Sequence, residues 1–211
     1  VGEGGPPLHH VPPDGATSIL IRGGPQPSPT VLVSGPWLVP LTVPIAPGQY
    51  FFGARLRPGA QRAILGVPPA QLVNQTLPLN QVAAEISPPD LAPRVAECTT
   101  LAAAAEVLDL FFLARTAGIP RPDPLVATAV LRLVASGGEA SISSIANDLG
   151  TSQRTLLRRF STATGLSPKQ YARICRFRAT AAQLLTKDAR LSELAATGGY
   201  ADQSHFSREV L

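Results

Sequence analysis

Gln153, Arg154, Thr155, Arg158 and Arg159 stand within one short stretch, with no general base and no metal-ligand set among them. Side chains of these types bind by donating hydrogen bonds. Arg154 and Arg158 are four residues apart, one helical turn, and share a face; arginine forks onto the acceptors of guanine. Around them the charge is one-sided. From Thr151 to Arg178 seven residues are basic (Arg154, Arg158, Arg159, Lys169, Arg173, Arg176, Arg178) and none is acidic. Such a run suits a polyanion. Arg159, Lys169, Arg173 and Arg176 are suited to phosphates, a sequence-independent source of affinity. A plain solvated helix face is the competing reading, and the lack of acidic partners weighs against it.

These side chains need a frame, and Ala140–Gly165 supplies one. Ile142, Ile145, Ala146 and Leu149 repeat at helical spacing, and Gly150 offers the left-handed residue that stops a helix. Ser152 can cap a second helix, whose buried stripe is Leu156 and Phe160. Two short helices joined by a tight glycine turn form a helix-turn-helix, with the second helix in the major groove. The pattern occurs twice. Leu191, Leu194, Ala195 and Gly199 repeat the first helix and turn, and Phe206 and Val210 repeat Leu156 and Phe160. The second reading helix then exposes Gln203, Ser204, His205, Ser207 and Arg208. Leu125–Ala135 precedes the first motif, with Val126, Ala129, Val130, Leu133 and Val134 as its buried side. Ser167–Leu185 follows it as a long helix, capped by Ser167 with Pro168 at its first position. Its stripe is Tyr171, Ile174, Phe177, Ala181, Leu184 and Leu185, and Arg173 and Arg176 share its exposed side.

The rest of the 211 residues has a different character. Up to Pro122 there are 7 basic and 7 acidic residues; from Asp123 onward there are 11 and 7, the whole net charge of +4. Of 22 prolines, 21 lie at or before Pro124. Val1–Asp14 reads as loop, broken by Pro6, Pro7, Pro12 and Pro13. Ser18–Arg22, Thr30–Ser34, Trp37–Ile45 and Gln49–Leu56 read as strands separated by turn residues, with Pro40 and Pro44 pushing the third to an edge. Arg55 and Arg57 share one strand face, either as an anion clamp or as an ordinary solvated face. Gly66–Gln75 reads as a short helix opened by prolines. Leu91–Gly118 is helical with a break, its apolar face Leu101, Ala105, Leu108, Phe111 and Phe112. The two phenylalanines are expected to pack on the β domain, a dimer interface being the other use for them. The fold class is thus α+β: a β-rich domain at 1–118 with helices, a linker at 119–124, and an all-α domain at 125–211.

Several classes are set aside. No apolar run is long enough to cross a membrane, and no signal peptide opens the chain, so a cytoplasmic location is expected. The chain does not begin with Met, so residues are expected to be missing ahead of Val1. Cys98 and Cys175 show neither disulfide nor metal spacing. His9 and His10 lack a third ligand, so no metal or cofactor is expected.

Three stretches carry a family resemblance: LGTSQRTLLRRF (Leu149–Phe160), TGLSPKQYARICRFRATAAQLL (Thr164–Leu185) and GYADQSHFSRE (Gly199–Glu209). They resemble the DNA-binding domain of AraC/XylS-type transcription regulators. The resemblance implies two helix-turn-helix subdomains joined by one long helix, contacting successive major grooves of double-stranded DNA. Carried over residue by residue, base contact falls on Arg154, Leu157 and Arg158, then on Ser204, His205 and Arg208, with Thr155 and Gln203 in support. Val11–Ile21 and Gly53–Leu72 are similar to the N-terminal domain of an uncharacterised subgroup of these regulators. That similarity implies a small cupin-like β domain for effector sensing or dimerisation. It also implies a small-molecule effector, a second copy of the chain and, for an activator, RNA polymerase as partners. Two features depart from the pattern. Val210 replaces the usual aromatic residue, and the helix expected behind the second reading helix lies beyond Leu211. No catalysis is expected; the alternative is the same DNA-binding domain fused to an enzyme. Alkyl-transfer repair needs an activated thiolate, and a cupin-type metal site needs more histidines than His9 and His10. A bare architectural DNA-binding protein is a further possibility, one that a defined operator would exclude.

Overall fold

The structure, a computed structural model, describes residues 7–25, 28–119 and 121–186, the last four by backbone alone. Alternation dictates the first sheet. In β2 (Ser18–Gly23), Ile19 and Ile21 turn inward, and in β3 (Thr30–Ser34) Val31 and Val33 do the same, in register Ile19↔Val33 and Ile21↔Val31. Polar or half-buried residues take the other face, the period-two pattern of a half-covered antiparallel sheet. With β5 (Tyr50–Arg55) and β6 (Thr76–Pro78) the sheet runs β5-β2-β3-β6, antiparallel throughout.

The N-terminus departs from the expected loop. Leu8–Val11 forms β1, which pairs antiparallel with β4 (Leu41–Pro44) as a separate two-stranded ribbon. Pro12 and Pro13 end β1, while Pro44, which has no amide to donate, sits opposite Leu8, one residue before Ile45 N donates to Pro7 O at 2.9 Å. Trp37 contributes only a bridge to Asp14, its amide donating to Asp14 O at 2.7 Å and its carbonyl accepting from Asp14 N at 3.0 Å.

Short helices cover the sheet. They are α1 (Gln61–Leu65), α2 (Leu79–Val82), α3 (Leu91–Ala96) and α4 (Leu101–Thr116), with 3-10 turns at Pro69–Leu72 and Ala84–Ile86. The helix expected around Gly66–Gln75 is therefore only a single 3-10 turn. The region expected to break in its middle breaks instead near its start, between Ala96 and Leu101, and Thr100 caps α4 by accepting from Ala103 N at 3.2 Å. Ala104, Leu108 and Phe111 face the core with Ile19, Val33, Leu65, Leu79 and Leu91. Two residues of the expected apolar face are misplaced: Leu101 is 76% exposed and Ala105 is also exposed. Helix α4 is apolar on all sides, so periodicity alone could not phase it.

The C-terminal part begins with α5 (Pro124–Ala135), followed by α6 (Ile142–Asp148), α7 (Gln153–Thr164) and α8 (Pro168–Thr186). Val126, Ala129, Leu133, Ile145, Ala146, Leu156, Phe160, Leu166, Tyr171 and Ile174 form a second core. Within it the rings of Phe160 and Tyr171 meet edge-on at 5.5 Å. Val134, expected inside, is more than half exposed. The side chains of Leu184 and Leu185 lie outside the described residues.

The two cores touch. The Tyr171 ring lies against Gly15, where a Cβ would sit 2.5 Å from it, and Gly165 meets the backbone of Pro69 and Ala70 at 2.7–2.8 Å from its Cβ position. Glycine is required at position 165 twice over, for that contact and for φ of 78°.

Candidate nucleic-acid interface

Local chemistry builds the first motif. Ser141 caps α6 by accepting from Ser144 N at 3.1 Å. Gly150 takes φ of 62°, and Thr151 N donates back to Ala146 O at 3.0 Å, which closes the turn tightly. Ser152 Oγ then accepts from Thr155 N at 3.1 Å and its hydroxyl donates to Thr155 Oγ1 at 2.9 Å. Thr155 thus serves the cap as well as bordering the surface.

Helix α7 divides cleanly. Leu156 and Phe160 are fully buried; Gln153, Arg154, Leu157 and Arg158 are exposed. With Ser161 and Thr162 they line one open groove along the helix. Among the described residues Arg154 and Arg158 form no ion pair. Leu157, 36% exposed, puts an apolar side chain between them, as contact with a thymine methyl requires.

The expected phosphate contacts divide differently. Lys169 is exposed at the start of α8. Arg173 is half-buried, and Arg176 Nη1 donates to Gly138 O at 3.2 Å, bracing the turn between α5 and α6. Arg159 is held by Asp123: Nε donates to Oδ2 and Nη2 to Oδ1, both at 2.6 Å. The same carboxylate caps α5 by accepting from Leu125 N at 3.0 Å. Partial burial alone would raise the Asp123 carboxyl, but the Arg159 and Leu125 hydrogen bonds outweigh it and hold the group below its ordinary value of 3.8. Stability from this pair is therefore present above about pH 4 and is lost as pH falls through the depressed value. Asp123→Asn should flatten the acid limb of the stability curve below pH 4, checked by denaturant midpoints at stepped pH.

Sequence reasoning missed Asp123 because its partner lies 36 residues away. It also missed the Arg132–Asp148 pair, which ties α5 to α6. The corner after α7 is self-contained. Thr164 Oγ1 donates to Phe160 O at 2.9 Å and accepts from Leu166 N at 3.2 Å. Ser167 and Gln170 then cap α8 reciprocally: Ser167 N donates to Oε1 at 2.8 Å, and Gln170 N to Ser167 Oγ at 3.2 Å. Helix α8 runs unbroken for 19 residues, roughly 28 Å at 1.5 Å per residue. Gln203, Ser204, His205 and Arg208, with the whole second motif, lie outside the described residues.

Residues 145–210 match the family described as "Helix-turn-helix domain". The chain carries the helix-turn-helix domain of AraC/XylS-type transcription regulators. It is a DNA-binding transcription regulator, and α7 is the second helix of the first helix-turn-helix in its AraC-type domain. Residues 2–78 match the family described as "Domain of unknown function (DUF6597)", which spans the ribbon and the four-stranded sheet. Among solved structures, apo ToxT K231A from Vibrio cholerae strain SCE256 is similar at 12% identity and a TM-score of 0.46, over 98% of this chain and 89% of that one. ToxT from Vibrio cholerae O395 is similar at 12% identity and a TM-score of 0.44, over 96% and 90%. A search of curated proteins found no match.

Around this AraC-type domain, no helix among the described residues is long and apolar enough to cross a membrane. Burial pushes the Cys175 thiol up to about 11, and the positive charges of Arg178 and Arg176 only partly oppose it. That is the reverse of the activated thiolate that alkyl transfer needs. Among the described residues no three His, Cys, Asp or Glu side chains gather as a metal site.

One cavity, about 620 Å³, opens between the two cores. Leu56, Val130, Ile174 and Ala179 give it apolar walls, Tyr171 and Cys175 form part of the lining, and Arg55, Arg57 and Arg178 supply cations. Asp14 pairs with Arg55 and, at 3.8 Å, with Arg178, so one carboxylate bridges the β5 side to α8. Arg57 has no ion-pair partner among the described residues. Of the two arginines expected on one strand face, Arg55 ends β5 and Arg57 lies beyond the strand, and both border the cavity.

Proposed function

We propose that the protein reads a defined operator through two successive major grooves, with Arg154, Leu157 and Arg158 making base contacts in the first. The observation that carries this reading is α7 itself: its apolar side is locked in the second core, while on the other two arginines without an ion pair among the described residues flank an exposed leucine. Support for a second groove comes from the repeated motif in the sequence and the unbroken α8, a spacer of suitable length. Reading helices on one side of B-DNA sit about 34 Å apart. Selection from a random-sequence duplex pool tests this. It should return two conserved blocks with centres about 10 base pairs apart. A single block would remove the second groove, and no enrichment at all would leave only sequence-independent binding.

Small-molecule control belongs to the same proposal, and the cavity between the cores is its proposed seat. A largely apolar molecule with an anionic end fits walls of leucine, valine and isoleucine with Arg57 at hand. The probe 1-anilinonaphthalene-8-sulfonate should bind the full chain at one site. Ala179→Trp, which fills the space, should weaken that binding at least tenfold; equal binding by both proteins, read by fluorescence titration, would place the probe elsewhere.

A further inference from the structure

One arginine of α7 is withheld from the reading face. Arg159 follows Arg158 in sequence, so it projects about 100° further round the axis. That places it on the flank of the helix, where a reading helix seated in a groove meets sugar-phosphate backbone. A guanidinium fork fits a phosphate and a carboxylate equally well. In this structure the fork is filled from within, by both oxygens of Asp123 at 2.6 Å.

Asp123 belongs to the segment joining the two cores. Its neighbour Pro122 lies against the turn after β5: a Cβ on Gly59 would sit 3.6 Å from both Pro122 and Ala163 of α7. The connection therefore runs beside the point where the turn after β5 meets α7. Arg159 keeps 40% of its side chain exposed, so the pair sits at the surface, where a duplex can compete for it.

We infer that Asp123 is an internal competitor of DNA: its carboxylate occupies the phosphate-binding fork of Arg159, and the duplex gains that contact only when the connecting segment lets go. Any event that shifts this segment relative to α7 then changes DNA affinity by one phosphate contact, without touching the base-reading residues. The inference rests on α7 being the DNA-reading helix.

The test uses the full chain and a 30-base-pair duplex of mixed sequence, with Kd measured across a potassium chloride series. Asp123→Asn keeps the α5 cap, since Asn caps as well as Asp. Asp123→Ser, which also caps, repeats the measurement if the first variant loses its melting transition. The expected result is a slope of log K against log salt steeper by about 0.9, and roughly tenfold tighter binding at low salt. The charge-balanced double variant, Asp123→Asn with Arg159→Ala, should return to wild-type affinity and slope. Three results would overturn the inference: no gain from Asp123→Asn, a gain that persists in the double variant (a field effect of the lost charge), or a double variant weaker than wild type (Arg159 already on a phosphate). A wild-type chain that binds no duplex would instead sink the DNA-reading role of α7 beneath it.

Discussion

Replacing Phe160 with alanine should cost about 3–5 kcal/mol of stability, read as a lowered denaturant midpoint of the full chain. Phe160 has no exposed surface, lies between Leu156 and Tyr171, and meets the Tyr171 ring edge-on at 5.5 Å. Its removal deletes an aromatic side chain from the centre of a small core, and the walls come from four helices that cannot all move in. Domains of this size are stable by about 5–15 kcal/mol, so the loss takes a large share of the total. Phe160→Leu keeps most of the volume and should cost less than half as much. DNA binding should fall with the folded fraction in both variants. A drop below about 1 kcal/mol for the alanine variant would mean that α7 does not pack as described.

The second large effect is on sequence discrimination. Arg158→Ala and Arg154→Ala should each relax preference at the first block of the operator by about 1–3 kcal/mol, roughly 5- to 150-fold. The measurement is the affinity ratio between the selected operator and duplexes changed at single base pairs of that block. The second block should keep its preference. Equal weakening on every sequence, with a shallower salt slope, would turn either arginine into a phosphate contact. The two side chains share one face one turn apart, so a double variant should depart from the sum of the single ones.

How much of this was legible in the sequence depends on whether the signal was local. The α6 turn α7 unit reads directly from residues a few positions apart: Ser141 and Ser152 as caps, Gly150 as the stop, Leu156 and Phe160 as the buried stripe. The capping pair Ser167 and Gln170 marks the start of α8 in the same way. Strands β2 and β3 were equally plain, because one face is buried and the alternation is strict. The ribbon of β1 and β4 was not, since its residues are mostly exposed and prolines border it; only the pairing of Leu8–Val11 with Leu41–Pro44 makes it a strand. Helix α4 hid its phase because leucine and alanine occur all round it. Exposure was legible for Arg154, Leu157 and Arg158, whose orientation follows from the stripe beneath them. Arg159 and Arg176 could not be placed from spacing, because Asp123 and Gly138 reach them through the tertiary fold.

The corner formed by Thr164, Gly165, Leu166 and the Ser167–Gln170 cap has a wider consequence. The angle between α7 and α8 is encoded largely in a handful of adjacent residues, with the backbone of Pro69 and Ala70 packed against Gly165 from outside. A graft of this C-terminal half onto another module should therefore carry most of its own protractor with it. Sequence change elsewhere in the chain can accumulate while the angle between these two helices stays put.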